Sequence, residues 1–460
     1  MAGSALATLM LRQEADSLLT RLDQMAPFAL KMPMVPAAAL TPSAQIAIEL
    51  HVGRAKRELR ALVQSFLQWL GSATGQAVPA SEAQRRFALL KLRFNSVLDD
   101  FDIFADVVSQ RSEHGTGVWV SGLDVVAADA LAMPSVYTAP PVICYLDRGH
   151  GAAIRRARTR LPGGEENPVA IIRVPRERMV GSGIASSLVH EVGHQGAALL
   201  QLVESFRPVL RAIQDKGGPA APAWELYDRW ISEILADFWS VARVGVGSTL
   251  GLIGVVSLPR FFVFRTNIDD PHPIPWIRVI LSCAMGQALF PHPQWARLAA
   301  LWRSYYPPDG LAPAKRQLFT MLESTMPAFV SLLANHRPPS LRGRTVADAL
   351  EVGSRQPAQL RDLWSQWRGS VAAMRPVAPS LVFAAISQAR ADAQISPAIE
   401  TRILSELLTN WALDDALGTS QSCAERRRST IEARSIPSST PTGLSRPLVR
   451  TSAAPAVAAR

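Results

Sequence analysis

His190 and His194 stand four residues apart in the stretch His190-Glu191-Val192-Gly193-His194, and a helix is the element that turns residues at this spacing onto one face, one turn apart. On a helix the pattern H-E-x-x-H offers two imidazoles as metal donors with a carboxylate beside them as a general base. The flanks fit that element. Ser182-Gly183 precedes residues 184–189, and an apolar run over residues 197–203 follows, so the motif reads as part of one continuous helix. Gly193 costs about 1 kcal/mol relative to Ala inside a helix, which points to a close approach by another backbone or by the site itself. The competing reading is a core helix with two incidental histidines.

Zinc takes a third protein donor and, in a catalytic site, leaves the fourth position to water. Residues 224–239 have Leu226, Trp230, Ile234 and Phe238 at helical spacing, and on this helix Glu233 and Asp237 lie four apart on one face. One carboxylate can bind metal while the other accepts the N–H of a ligating imidazole. Glu225 and Asp228 lack such a partner at the right spacing. The alternative is that Glu233 and Asp237 are solvated or paired with Arg229 or Arg243. A third element follows at Asp270-Pro271-His272-Pro273-Ile274-Pro275, after Asp269. Three prolines in five residues make a rigid extended loop, and a helix restarts at Ile277 with Arg278 in its first turn. Such a loop can hold an imidazole and a guanidinium where negative charge develops during peptide hydrolysis. A histidine between prolines is also an ordinary surface-loop residue, and Arg278 has Asp269 and Asp270 nearby as ion-pair partners.

Taken together, the three pieces resemble the gluzincin metallopeptidases, in particular the family of the HtpX heat-shock protease and the CAAX prenyl proteases, which reads H-E-x-G-H, then E-x-x-A-D, then H-P-x-x-x-x-R. Here these are His190 to His194, Glu233 to Asp237, and His272-Pro273 through Arg278. The resemblance covers about residues 140–285. It implies one zinc ion per chain held by His190, His194 and Glu233, with Glu191 as catalytic base acting on a zinc-bound water. Asp237 would support a ligand, and His272 and Arg278 would stabilise the oxyanion. Residues 167–176 look like the strand that precedes the zinc helix in this family, against which an extended substrate pairs. Their β-branched residues and terminal Pro175 fit an edge strand. Familiar members are membrane-embedded or lipid-anchored. This chain instead has a Gly217-Gly218-Pro219 turn and Pro222 between His194 and Glu233, and no membrane pass. The implied activity is that of a zinc-dependent endopeptidase acting on a protein or peptide. The alternative is a non-catalytic helical scaffold or basic interaction protein with a structural or vestigial zinc site.

The remainder supports a mainly α fold with a small β-sheet (α+β), a zincin-like core flanked by helical regions. The expected division is an N-terminal helical region (1–114), the core (115–285), a C-terminal helical region (286–417) and a tail (418–460). Residues 1–25 have a helical pattern, and Pro33, Pro36 and Pro42 mark a linker. Two long amphipathic helices follow over 43–71 and 81–113, with stripes at Leu59, Leu62, Phe66 and Leu70 and at Phe87, Leu90, Phe94 and Leu98. Residues 115–178, with the runs Val118-Trp119-Val120 and Val142-Ile143-Cys144-Tyr145, read as a small sheet. The uncharged stretch 244–259 falls short of the roughly 20 residues of a spanning helix and reads as a buried segment or helical hairpin rather than a membrane contact. The first residues lack a signal-peptide pattern, so the cytoplasm is the expected compartment. Cys144, Cys283 and Cys423 are widely spaced and expected to be reduced. From Gly418 the chain is rich in Ser, Thr, Pro, Ala and Arg and is expected to be disordered. Its seven Arg against Glu425 and Glu432 give +5, half of the chain's formal +10. Arg426-Arg427-Arg428 lacks interleaved aromatics, so no specific nucleic-acid binding is expected.

Overall fold

The computed structural model describes residues 2–25, 32–148, 151–176, 181–267 and 270–435, so Asp269 and residues 436–460 of the expected tail lie outside the described residues. Amphipathic helices open the chain: α1 (Ala2–Gln24), α2 (Pro42–Gly71), the short α3 (Ala73–Ala77) and α4 (Ala80–Ser109). Thr41 starts α2 by accepting a hydrogen bond from the Ala44 N–H, with Pro42 at the first helical position. The buried stripe of α2 is Leu59, Val63, Phe66 and Leu70, whereas Leu62 is 45% exposed. At about 100° per residue, Val63 lies about 40° from Leu59 around the axis and Leu62 about 60° on the other side, away from this core. On α4, Phe87 and Phe94 are buried and Leu90 and Leu98 half-buried.

The run Val118-Trp119-Val120, expected in a strand, lies in helix α5 (His114–Leu131). Leu123, Val126, Ala127, Ala130 and Leu131 are buried at helical spacing, and this longer pattern overrules the β propensity of three residues. The sheet begins after it, with β1 (Val142–Asp147), β2 (Ala153–Arg155) and β3 (Ala170–Pro175) in the order β1-β3-β2. β1 runs parallel to β3 and β2 antiparallel to it. The strand expected at an edge is therefore the central one. The reason is visible in its side chains: Ile171 packs into the core of the N-terminal helices and Ile172 and Val174 into the opposite core, and burial on both faces suits an interior strand. Arg111, fully buried, ties α5 to β1 through Asp124 (2.7 and 3.2 Å) and the Cys144 carbonyl (2.7 Å).

The chain continues as α6 (Ser182–Leu199), α7 (Leu202–Gln214), α8 (Ala221–Val244), α9 (Val246–Val256), α10 (Arg260–Val263) and α11 (Pro275–Leu289). It ends with α12 (Pro293–Tyr305), α13 (Pro313–Ala334), α14 (Val346–Ala349), α15 (Pro357–Trp367), α16 (Val371–Met374), α17 (Pro379–Ala391) and α18 (Pro397–Ser435). The helix with the histidine pair stops at Leu199 instead of continuing through Val203, because Gln201 takes a left-handed conformation (φ 52°) that starts α7. Residues 244–259 form no hairpin: Gly245, at φ 58°, turns the chain directly from α8 into the single helix α9, which packs against α6, α11 and α17.

Met1–Leu417 form one compact unit. One cluster of buried side chains extends from Val120 to Trp411, and α11 crosses position 285 while packing on α8, α9, α12 and α13, so the core has no break there. The second unit, Gly418–Arg460, is helical as far as Ser435 rather than disordered from its start. Ala, Glu, Gln and Arg are good helix formers, and extending an existing helix requires no new nucleus. Among the described residues, no helix is long and apolar enough to cross a membrane.

The closest helix contact near the histidine pair joins α6 to α8. A Cβ built on Gly193 would lie 2.8 Å from the Ala236 Cα, 2.9 Å from its carbonyl oxygen and 2.9 Å from the Trp239 Cβ. Of the two origins anticipated for Gly193, the close backbone approach is the one found. Gly193→Ala is expected to push the helices apart at about 1–3 kcal/mol, read as a lower midpoint in denaturant unfolding, and to weaken metal binding in parallel. An unchanged midpoint would show that the two helices separate freely.

Candidate metal centre

His190 and His194 leave α6 on the face that meets α8, with ring centroids 4.9 Å apart and planes at 84°. From α8, Glu233 reaches both: its Oε2 lies 3.2 Å from His190 Nε2 and its Oε1 3.4 Å from His194 Nε2. One donor atom from each of the three lies within 4.8 Å of the others, a group that can hold a metal ion. The bonding pattern supports that use. Glu233 Oε2 is buried without a directed hydrogen bond, although two ring nitrogens lie at hydrogen-bond distance, so the donors converge without satisfying one another. A buried carboxylate oxygen left in this state is costly unless a cation completes it.

Behind these donors lies a second set of contacts. His190 Nδ1 is 2.8 Å from Asp237 Oδ1, and Arg278, from the first turn of α11, grips Asp237 through Nε (2.6 Å to Oδ2) and Nη2 (2.8 Å to Oδ1). The partners proposed for Glu233 and Asp237 as purely structural residues, Arg229 and Arg243, are engaged elsewhere: Arg229 with Glu225 and Arg243 with the Ala132 carbonyl. Asp228 is occupied by Arg207 and Arg211, so neither rival third donor is available. His272 is 47% exposed, with Nε2 3.2 Å from Glu233 Oε2.

All seven residues picked from the sequence thus gather in one place. His190, Glu191, Asp237, His272 and Arg278 line a cleft of about 160 Å³ with Ser186, Ser187, Ser248, Leu252 and Val255. Arg278 lines the cleft with its guanidinium engaged by Asp237, and not by Asp270, the competing ion-pair partner nearby in the chain. Asp270 instead accepts from Arg265 (3.0 Å) and binds His272 twice, from its backbone N–H (3.0 Å) and at ring Nδ1 (2.9 Å). The sequence held a signal for this clamp. An Asp two residues before another commonly accepts its N–H in a turn, and a proline separates the two. Ser232, whose hydroxyl is 3.4 Å from His194 Nδ1, had no such signal.

Burial opposes the charge of Glu233, Asp237 and His190, and their partners reverse it. Burial raises the Glu233 carboxyl, but His190 and His194 outweigh it and hold it well below the usual carboxylate range. Asp237 is held low in the same way, against burial, by the charge of Arg278 and then His190. Burial lowers the His190 imidazole, but Asp237 and Glu233 lift its pKa from 6.5 to about 9.

No family model, curated protein or solved structure matches this chain.

The His190 value has a consequence for metal loading. With its pKa above the unfolded 6.5, the proton on His190 stabilises the metal-free fold fully below 6.5, and that contribution is lost as pH rises through about 9. A metal must displace this proton. Apparent affinity should therefore climb about tenfold per pH unit from 6.5 to about 9 and then level off, measured by chelator competition. Asp237→Asn should flatten the climb, and a flat profile in the unaltered protein would mean that His190 enters the site neutral.

Proposed function

We propose that this chain is a zinc-dependent endopeptidase, cleaving protein or peptide substrates in the cleft between α6 and α9. The observation that carries this reading is the convergence of His190, His194 and Glu233 on one point beside Glu191. Two nitrogens and one carboxylate oxygen form a donor set suited to zinc with an open position. A zinc ion held there supplies a Lewis acid that lowers the pKa of water toward roughly 7 and polarises a carbonyl.

The side chains divide the remaining work. Glu191 follows His190 directly on α6, is 8% exposed and lines the cleft, so it is placed to take a proton from water and later hand it to the leaving amine. Asp237 accepts from His190 Nδ1, which directs Nε2 at the donor cluster, and Arg278 keeps Asp237 in place. His272, steadied by Asp270, stands at the rim where it can donate to an oxygen gaining negative charge. The backbone partner for an extended substrate is β2 instead of β3: among the described residues β2 is an edge of the sheet, and of the two edge strands it is the one whose preceding residues, Gly151 and Ala152, line the cleft. Cys144 and Cys283 are buried and unpaired, which suits the cytoplasmic setting proposed with this activity.

Glu191→Gln should retain one zinc per chain, by metal analysis, and lose at least about a hundredfold in turnover on an unfolded protein substrate. Equal turnover would eliminate the mechanism, and metal without turnover in the unaltered protein would favour the scaffold reading. His272→Ala and Arg278→Ala should part company. The first should keep its metal and lower kcat by roughly 10- to 1000-fold. The second should weaken metal binding by about 10- to 100-fold, because it acts through Asp237. If both variants kept full metal affinity, Arg278 would have the direct role instead.

A further inference from the structure

β2 and the turn after it read Ala153-Ile154-Arg155-Arg156-Ala157-Arg158-Thr159-Arg160, a segment with four arginines and no acid. All four arginines are exposed, and none forms an ion pair among the described residues. Neither acid closest in sequence makes an ion pair with them among the described residues. Glu165 is committed to Arg54 at 3.2 Å, and Glu166 opposes Arg160 through an isolated backbone bridge. The backbone beneath is fixed. Ala157 N–H donates to Gln195 Oε1 (2.8 Å), the residue after His194, and Asn167 Nδ2 donates to the Arg155 and Arg156 carbonyls (3.1 Å each). Arg158 N–H donates in turn to the Asn167 carbonyl at 2.8 Å. Gln195 and Asn167 are both buried, so these arginines stand on a rigid support.

The position of this ridge gives it meaning. Gly151 and Ala152 line the cleft, and Arg155 follows Ala152 by three residues, about 10 Å along an extended chain. A polypeptide laid along the open edge of β2 with its scissile bond at His190 and Glu191 would run its flanking residues past Arg155 and Arg156 and toward Arg158 and Arg160. We infer that the cleft selects polypeptides with an acidic segment a few residues from the cleaved bond, and that Arg155, Arg156, Arg158 and Arg160 are the specificity-determining residues. The inference rests on the hydrolytic reading for the location of the bond, and on the ridge itself for the charge. Arg155 feels the buried carboxylate of Asp100, but none of the four is held in a close ion pair among the described residues, and such a row of like charges is complementary to an acidic chain and steers it into register. The ridge holds no aromatic side chain for stacking on bases, and it continues a strand edge into a cleft rather than a broad face, which favours a peptide over nucleic acid or a lipid surface.

The test uses the full-length, zinc-loaded Glu191→Gln protein and fluorescein-labelled dodecapeptides of small and aliphatic residues. Four Glu are placed at one end or the other, and the controls have Gln in the same places. Fluorescence anisotropy at low salt should show one of the two Glu peptides binding at least about tenfold tighter than its Gln counterpart, with the difference shrinking as salt is raised. The triple variant Arg155→Gln, Arg156→Gln, Arg160→Gln should abolish most of the difference while its circular dichroism and melt stay unchanged. Arg158 is left in place because its backbone is left-handed (φ 62°). Equal binding of Glu and Gln peptides, or a preference that survives the triple variant, overturns the inference. So does arginine-dependent binding of phosphatidylserine vesicles or duplex DNA without a Glu-over-Gln difference. If the unaltered protein cleaves both peptides equally, selectivity fails and the hydrolytic reading stands. If it cleaves nothing while the anisotropy difference holds, the hydrolytic reading fails and the acid-binding edge stands.

Discussion

The absence of a side chain at Gly193 sets the distance between α6 and α8, and with it the spacing of everything at the centre. Two candidate ligands come from α6 and the third from α8, so their relative position is a property of helix packing and not of any loop. Helices usually pack 8–10 Å apart, depending on the side chains at the contact. A glycine facing Ala236 puts this pair among the closer contacts, near enough for a Glu side chain to reach both imidazoles. Trp239 completes the arrangement, since its indole N–H donates to the Ala130 carbonyl of α5 at 3.0 Å and so anchors α8 to a third helix.

Such a cluster is costly to place inside a protein. Glu233, Asp237 and Arg278 are nearly buried ionisable groups, and a hydrophobic replacement of similar shape is often neutral or stabilising for a fold. Their charges are matched so closely that removing one leaves another stranded: Asp237 serves both His190 and Arg278 at once. The chain tolerates this arrangement next to a tightly packed aromatic cluster, where Trp276, Phe264 and Phe319 lie in mutual contact at the start of α11 near Arg278. Rigid apolar packing thus lies on one side of the site and paired charges on the other.

Much of the site is legible in the sequence because its residues obey helix geometry. His190 and His194, and Glu233 and Asp237, are pairs at a spacing of four, and a spacing of four has one meaning on a helix. Glu225 and Asp228 are separable from Glu233 on the same ground. What the sequence conceals depends on partners distant along the chain. Nothing near residues 167–176 says whether another strand lies on both sides, so their β-branched character cannot tell a central strand from an edge. Val118-Trp119-Val120 looks like a strand because three residues are too few to display a helical period, and the decisive positions, Leu123 to Leu131, lie after it. Leu62 and Val63 lie about 60° and 40° from Leu59 on opposite sides of the axis, so which of them is buried is decided by the neighbouring helices. Sequence spacing leaves the guanidinium of Arg278 between acids close by in the chain and Asp237, 41 residues earlier on another helix, and it is the packing of α11 on α8 that settles on Asp237.

A three-residue strand at the end of a sheet is a hazard as well as an opening. Its unpaired backbone groups will accept any extended chain, including the same strand of a second molecule, and runaway pairing of that kind is how sheets aggregate. On β2 and its following turn, two copies meeting edge to edge would bring Arg155, Arg156, Arg158 and Arg160 against an identical set, and like charges facing one another across strands repel. The arginines therefore keep the edge vacant against its own kind, and the shortness of β2 limits how much backbone a wrong partner could capture. The charge proposed to select an acidic chain at this edge is thus the same charge that disfavours edge-to-edge pairing of two copies.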